Sequence, residues 1–180
     1  MQKIALIYMG GTFGCIGEPL IPMPEQAFLP LLEKIIPPHL QVECFAAPSI
    51  KDSSACTAVD WQQLIQQIQQ LQHNNYQYFV IIHGTDTLSY AAATLARFLG
   101  DSCHAIITGS QYPLLNVDGN DTREFTDALG NLYLALEQVL KLPVGVYLAF
   151  HQQVFHAQTT LKIHTTELDA FTGIPATQEC

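Results

Sequence analysis

The apolar residues of this chain follow two patterns that alternate along its length. One pattern is a short run that is apolar at nearly every position, which is typical of a strand buried on both faces of a sheet. The other is a longer segment whose apolar residues recur every three or four positions, which predicts an amphipathic helix. The strand-like runs lie at residues 4–9, 78–82, 105–108 and 144–150, and a further strand is predicted at 42–45.

Four segments show the helical pattern. The first starts with Pro24 at its first helical position and stops before the prolines at 37 and 38. The second opens on Thr57, three residues before Asp60, in the spacing of a capping box, and its outer face is almost entirely glutamine. The third follows Thr87, whose side chain we expect to cap it, and ends at residue 100. The fourth helix is predicted over residues 125–140.

Strands that alternate with helices favour a parallel sheet covered by helices on both faces. The sequence therefore predicts the α/β fold class, in the form of a doubly wound three-layer sandwich with a mostly parallel sheet. With 180 residues, of which 48% are apolar, the chain is long enough to close one sizeable core. We expect one domain over residues 1–180 and exclude disorder on composition.

The charge balance narrows the possible partners. Sixteen acidic and seven basic residues give a formal charge of -9, which repels phosphate backbones and anionic lipids. We therefore expect neither nucleic acid nor a membrane as a partner.

The five cysteines are odd in number and form no C-x-x-C pair, so they are expected to be reduced thiols. The first residues lack the flanks and length of a secretory signal, which favours a cytoplasmic location.

Three polar, glycine-flanked turns follow strands of the predicted sheet. They are Gly-Gly-Thr at 10–12, His-Gly-Thr-Asp-Thr at 83–87 and Gly-Ser-Gln at 109–111. Ligands bind at the carboxyl ends of parallel strands, so we expect these turns to share one rim. Each turn alone is explained by glycine geometry and helix capping. Together, the hydroxyls of Thr12 and Thr85 beside a carboxylate offer a nucleophile and hydrogen-bond donors in one cleft.

These motifs resemble the signatures of the bacterial-type L-asparaginases, particularly the cytoplasmic type, and the resemblance spans nearly the whole chain. The turns at 10–12 and 83–87 resemble the first and second signatures of that family. Five matches in the same order are far more specific than any single Gly-Gly-Thr. The other three are Asp-Ser-Ser at 52–54, Thr-Gly-Ser-Gln at 108–111 and the segment 159–166 around Lys162.

The resemblance implies hydrolysis of the side-chain amide of L-asparagine, or of a related amide, to a carboxylate and ammonia without a metal or organic cofactor. Thr12 matches the residue that attacks the amide and forms an acyl-enzyme. Thr85, Asp86 and Lys162 match a second cluster, which orders the attacking water or relays protons. An ion pair with Asp86 also explains Lys162, because the reference lysine pKa of about 10.4 is too high for a base.

The resemblance also implies a substrate-binding group. Ser53 matches the ligand of the substrate α-carboxylate, and the neighbouring backbone N–H groups add donors for an anion. Asp86 matches the ligand of the α-ammonium group. Such a pair suits a zwitterionic amino acid amide, which is the small-molecule partner we expect. The residues assigned to substrate binding are Gly11, Ser53, Ser54 and Asp86.

Two features depart from the family. Leu20 stands where the family carries a tyrosine on the loop after the nucleophile, and leucine neither donates nor accepts a proton. Glu18 could replace it only by swinging in from an exposed loop. We also expect the chain to lack the family's smaller carboxyl-terminal domain, which in a neighbouring subunit closes the active site, so the cleft would be wetter. Both features predict low asparaginase activity at best.

Other interpretations stay open on sequence alone. Leu20 favours a non-catalytic module that binds aspartate or asparagine, and the scarcity of charge favours a homo-oligomer or a subunit of a larger assembly. Cys15 is an alternative nucleophile, although nothing near it in sequence would lower its pKa. The segment 116–123 has the first spacings of a calcium loop without its glycine and closing glutamate, which predicts a solvated turn. His83 is predicted to hydrogen-bond within its own turn, and the histidines show no zinc pattern.

Overall fold

The computed structural model describes residues 2–180, and its elements are numbered here in chain order. The strands are β1 (Lys3–Tyr8), β2 (Cys15–Ile16), β3 (Ile21–Pro22), β4 (Gln41–Ala46), β5 (Tyr78–Ile82), β6 (His104–Thr108), β7 (Gly145–Phe150), β8 (Gln153–His156), β9 (Leu161–Lys162) and β10 (Phe171–Thr172). The helices are α1 (Glu25–Lys34), α2 (Ala58–His73), α3 (Leu88–Leu99) and α4 (Ala128–Gln138).

Six strands form the central sheet in the order β4-β1-β5-β6-β7-β8. The first five are parallel and β8 runs antiparallel to β7. The carboxyl ends of β1 and β5 are in register, with Tyr8 opposite Ile82, and Ile82 is opposite Thr108 of β6. The loops that leave these three strands therefore start side by side.

Helices cover both faces of the sheet. The alternation within β1 shows the two faces, because Ile4 and Leu6 belong to the core beneath α1 and α4, whereas Ala5 and Ile7 belong to the core beneath α2 and α3. All four side chains are fully buried. The predicted fold, a doubly wound three-layer sandwich with a mostly parallel sheet, is confirmed.

The second helix forms as its sequence predicts. Thr57 and Asp60 make a capping box, in which the Thr57 backbone N–H donates to the Asp60 carboxylate at 2.7 Å. The apolar stripe of α2 packs against the sheet and leaves its glutamines outside. Its buried members are Leu64, Ile65, Ile68 and Leu71.

The fourth helix is shorter than predicted. The sequence pattern gave residues 125–140, but α4 covers only Ala128–Gln138. The Thr126 hydroxyl accepts the N–H of Ala128 at 3.0 Å, and the Asp127 carboxylate accepts backbone N–H groups of a loop at the rim. The Thr126 hydroxyl therefore binds the first N–H of the helix, and the Asp127 side chain binds a loop outside it, so the helix begins after these two residues.

The antiparallel strand β8 was not predicted. The chain reverses between β7 and β8 through His151 and Gln152, whose φ angles are 47° and 63°. Two successive left-handed residues are typical of a tight two-residue hairpin turn, which glycine and asparagine usually form. No such residue marks this turn. The Asn131 side chain supports it instead, by accepting the His151 N–H at 3.0 Å.

Two small hairpins lie outside the sheet. One pairs β2 with β3 and follows residue 12, and the other pairs β9 with β10, so that Lys162 lies opposite Phe171. Neither hairpin belongs to the doubly wound core, and each brings a loop to the edge of the sheet.

Among residues 2–180, no helix combines the length and the apolar content that crossing a membrane requires.

Candidate active site

A cavity of about 310 Å³ opens at the carboxyl ends of the parallel strands. All three turns that the sequence singles out contribute to its wall, which confirms that they share one rim. A larger cavity of about 680 Å³ lies at the opposite end of β7, away from the candidate residues. The residues that line the rim cavity are Thr12, Asp52, Ser53, Gly84, Thr85, Asp86, Gln111, Tyr112, Lys162, Thr165 and Thr166.

Thr12 reaches this wall because the two glycines before it turn the chain sharply. Gly10 and Gly11 have φ angles of 101° and 85°, which side chains rarely adopt. A Cβ added to Gly11 would lie 2.5 Å from the Cα of Gly84, so the first turn packs directly onto the second. Thr12 then opens a short 3-10 turn and faces the cavity with its side chain half-buried.

Ser53 is fixed between the second turn and its own loop. Its side chain is 1% exposed, and its hydroxyl oxygen accepts the backbone N–H of Asp86 at 3.2 Å. The Thr87 hydroxyl donates to the Ser53 carbonyl at 2.9 Å. The expectation that Thr87 caps α3 with its side chain is therefore wrong, because that hydroxyl holds the neighbouring loop instead.

The other two residues assigned to substrate binding lie just outside the cavity. Gly11 precedes Thr12, and its backbone packs against that of Gly84. Ser54 is exposed, and its backbone N–H donates to the Asp52 carboxylate at 3.1 Å, so it is not directed at the cavity. The structure thus brings Ser53 and Asp86 to the site but not Ser54.

Lys162 joins the second turn from the far end of the chain. Its Nζ donates to the Thr85 hydroxyl at 2.9 Å and to the Asp86 carboxylate at 3.2 Å. The Lys162 side chain is only 15% exposed, whereas that of Asp86 is 58% exposed. The ion pair and the contact with the Thr85 hydroxyl therefore exist together, and the ammonium group is directed at the cavity wall.

Two residues that the sequence analysis did not assign to the site bind the third turn. The Asp127 carboxylate accepts the backbone N–H of Gln111 at 2.9 Å and of Tyr112 at 3.0 Å. Asn131 is buried and donates to the Gly109 carbonyl at 2.9 Å. Asp127 and Asn131 are four positions apart at the start of α4, so both side chains face the same turn. This i, i+4 spacing of two polar residues is the one signal in the sequence that could have indicated their shared role.

His83 behaves as predicted and stays inside its turn. Its Nδ1 donates to the Gly84 carbonyl at 2.8 Å, and its Nε2 accepts from the Trp61 indole at 3.2 Å. Both contacts need the neutral ring with its proton on Nδ1. Burial lowers the pKa of His83, which favours the same neutral form.

The structure disfavours Cys15 as an alternative nucleophile and Glu18 as a proton acceptor for Thr12. Cys15 donates its thiol proton to the Gly11 carbonyl at 3.4 Å, and burial raises the pKa of this thiol, so the thiolate is disfavoured. Glu18 and Leu20 are both exposed on the loop between β2 and β3, and Leu20 is 47% exposed.

Within residues 2–180, no three His, Cys, Asp or Glu side chains are grouped to hold a metal ion.

Comparison with known proteins finds relatives that match nearly the whole chain. L-asparaginase 1 of Escherichia coli strain K12 is 31% identical over 191 residues, which cover 95% of this chain and 51% of that protein. The 60 kDa lysophospholipase of Mus musculus is 28% identical over 94% of this chain and 34% of its own length. The solved structure of L-asparaginase I from Vibrio cholerae superposes with a TM-score of 0.80 at 28% identity, over 96% of this chain and 51% of that one.

The chain is an α/β protein with a cavity lined by hydroxyl groups at the carboxyl ends of its strands. The family model described as "Asparaginase, N-terminal" matches residues 3–178. The chain belongs to the asparaginase family, in the part that forms its N-terminal domain. It spans about half the length of the L-asparaginases to which it is similar.

Proposed function

We propose that this domain hydrolyses the side-chain amide of L-asparagine, or of a related amino acid amide, to the carboxylate and ammonia. The observation that carries the proposal is the Lys162 ammonium, which bonds both Thr85 and Asp86 in the cavity that Thr12 also lines. A hydroxyl group that could attack and a cation that could polarise the substrate then lie in one cavity, which supports the proposal. Membership of the asparaginase family supports the amide as the substrate.

The proposed reaction takes two steps at Thr12. In the first, the Thr12 oxygen bonds to the amide carbon, the carbon–nitrogen bond breaks, and ammonia leaves with the hydroxyl proton. In the second, water bonds to the same carbon, the ester bond to Thr12 breaks, and one water proton returns to the Thr12 oxygen. The atoms balance without an oxidant or reductant, and every group involved belongs to the chain, the substrate or water.

The proposed substrate carries two opposite charges, an α-carboxylate and an α-ammonium group, and the site offers a partner for each. The Ser53 oxygen already accepts the Asp86 N–H, so the Ser53 hydroxyl proton is left to donate, which suits the substrate α-carboxylate. One oxygen of the Asp86 carboxylate is taken by Lys162, and the more exposed part of the carboxylate suits the α-ammonium group. A zwitterionic amino acid amide fits this arrangement better than a singly charged ligand.

Ammonia release from a panel of amides tests the proposal. We expect asparagine or glutamine to be hydrolysed, and Thr12→Ala to lower the rate by about 10³-fold or more, as loss of a nucleophile does. Thr94→Ala is the matched control, because its hydroxyl bonds only to the Tyr90 carbonyl within α3. A lysophospholipid ester is tested beside the panel by release of its fatty acid, because one relative is called a lysophospholipase. Unchanged ammonia release by Thr12→Ala would overturn the mechanism, and no release from any amide would overturn the function.

One observation favours a second candidate function. The resemblance assigns the place of the family's tyrosine to Leu20, which is 47% exposed and has no group that could take the Thr12 proton. A domain that binds aspartate or asparagine without turnover would keep Ser53 and Asp86 and need no base. Calorimetry with both amino acids separates the two candidates, since binding without ammonia release supports the second and absence of binding removes it.

We also propose that the protein forms homo-oligomers. Leu20 and Ile21 are exposed apolar side chains of the β2–β3 hairpin, and Val117 is one on a separate loop. A 3.1 Å hydrogen bond from the Gly17 N–H to the Val117 carbonyl joins the hairpin to that loop. Clustered apolar surface of this kind is typical of contact sites. Light scattering over the micromolar range tests this, and a monodisperse monomer throughout that range would contradict it.

A further inference from the structure

Gln111 connects the Thr85 hydroxyl to the segment 165–167, part of which lines the cavity. Its Oε1 accepts from the Thr85 hydroxyl at 3.4 Å, and its Nε2 donates to the carbonyls of Thr165 at 3.1 Å and Glu167 at 2.9 Å. The Asp127 carboxylate holds its backbone N–H. Gln111 is therefore fixed at both its main chain and its side chain, beside the Lys162–Thr85 contact.

The two carbonyls decide which way the Gln111 amide faces. If the amide were turned by 180°, its oxygen would face the carbonyl oxygens of Thr165 and Glu167. All of these oxygens are acceptors, so no hydrogen bond could form between them. The observed orientation satisfies both N–H bonds. It leaves Oε1 as an acceptor for the Thr85 hydroxyl proton, and an acceptor is the one role this oxygen can take.

This orientation fixes the role of Thr85. A hydroxyl has one proton and two lone pairs, and here Gln111 takes the proton and the Lys162 ammonium occupies one lone pair. One lone pair is left, so Thr85 can meet a water molecule in the cavity only as an acceptor. A water molecule held in this way keeps an oxygen lone pair free to attack and places one proton away from the reacting carbon.

We propose that Gln111 is a positioning residue that orients Thr85 to hold the attacking water in the second step. The inference rests on the proposed function. In that step water bonds to the acyl carbon, the ester bond to Thr12 breaks, and one water proton passes to the Thr12 oxygen while the other stays bonded toward Thr85. No proton moves to Gln111, and none is consumed.

Rapid mixing with asparagine tests this role, because ammonia leaves in the first step and the acid in the second. Gln111→Leu frees the Thr85 proton to turn into the cavity, so the second step should slow by about tenfold, as loss of one oriented hydrogen bond allows. The first step should be nearly unchanged. Ammonia should then appear as a burst of about one equivalent per site, and hydroxylamine, a stronger nucleophile than water, should restore turnover as the hydroxamate.

Gln67→Leu is the matched control. The Gln67 Nε2 also donates to a backbone carbonyl, that of Ala46 at 2.9 Å, but the residue lies on α2 outside the cavity. It should show no burst and unchanged turnover. Hydrogen–deuterium exchange adds a readout that does not need activity, since Gln111→Leu and not Gln67→Leu should raise exchange over residues 163–170.

The outcomes separate this inference from the proposed function. If Thr12→Ala still releases ammonia, the acyl-enzyme itself is wrong. If Thr12→Ala is inactive while Gln111→Leu slows both steps equally, or leaves turnover and exchange unchanged, Gln111 has no positioning role and the proposed function stands. A burst in Gln111→Leu that Thr12→Ala abolishes supports both.

Discussion

Gly11 and Gly84 lie so close that a single Cβ on Gly11 would come within 2.5 Å of the Gly84 Cα. This contact joins the turn that carries Thr12 to the turn that carries Thr85. It needs glycine for two reasons, since the φ angle of Gly11 is also 85°. The distance between the two candidate hydroxyls therefore depends on a residue that contributes no side chain.

Gly11→Ala should consequently lower the free energy of unfolding by at least about 2 kcal/mol, from the strained φ angle and the clash together. Urea denaturation measures the effect. Gly130→Ala is the matched control, because a Cβ on Gly130 in α4 meets nothing within 4 Å. That change should be neutral or stabilise by about 0.5–1 kcal/mol, since alanine favours a helix. Equal stability of the two variants would contradict the packing argument.

Asp127→Ala should also destabilise the protein, because it leaves two backbone N–H groups, of Gln111 and Tyr112, without their carboxylate. We expect a loss of about 2–3 kcal/mol, the range for hydrogen bonds to a charged group, and a smaller loss for Asp127→Asn, which keeps one acceptor oxygen. Asp118→Ala, on the exposed loop, is the control and should stay within about 0.5 kcal/mol of the unchanged protein. Thermal and urea denaturation of the three variants measures these changes in the free energy of unfolding.

His83 should make stability depend on pH. Burial lowers its pKa in the folded state, so the unfolded chain binds the proton more readily. The pKa of a histidine in the unfolded chain is about 6.5. The free energy of unfolding should therefore fall as the pH drops below that value, and above it the contribution of His83 should be constant. His83→Gln should remove that part of the pH dependence, whereas His39→Gln, at an exposed position, should not.

The same titration has an optical signal. Trp61 is the one tryptophan of the chain, and its indole donates to the His83 Nε2, which protonation would block. We expect the Trp61 fluorescence to change over the pH range in which stability falls. Constant emission from neutral pH down to unfolding would show that His83 stays neutral and that the pH dependence has another origin.

Neighbouring serines provide a test of substrate binding. Ser53 is buried against the Asp86 N–H and lines the cavity, whereas Ser54 is exposed beside it. Under the proposed function, Ser53→Ala should raise KM for asparagine by about tenfold with a smaller change in kcat, because it removes a donor to the substrate carboxylate. Ser54→Ala should change neither constant. Steady-state kinetics of both variants provides the answer, and an unchanged KM for Ser53→Ala would remove its proposed role.

Much of the fold could be predicted because local signals and burial agree. The apolar run of β5 and the capping box of α2 at Thr57 each encode one structure without help from distant residues. The rim was predictable for the same reason, since strand ends in a parallel sheet lie at one edge. Once β1 and β5 are placed, the turns carrying Thr12 and Thr85 must be neighbours.

The remainder depends on contacts between residues distant in sequence. The turn at His151 and Gln152 adopts left-handed angles without glycine or asparagine, and its support comes from Asn131 in another element. The Thr87 hydroxyl suits a cap in its local sequence, but the Ser53 carbonyl competes for it from a loop 34 positions away. Propensity describes what a segment can do alone, and here tertiary partners decided between the possibilities.

Thr85 and Lys162 are 77 positions apart, and β6, β7 and β8 lie between them in sequence, so we expect their contact to form only after these strands have assembled. A partly assembled sheet consequently holds no ordered ammonium beside this hydroxyl. Any readout that senses this one contact therefore reports completion of the whole fold, so refolding followed through it should lag behind the burial of the core.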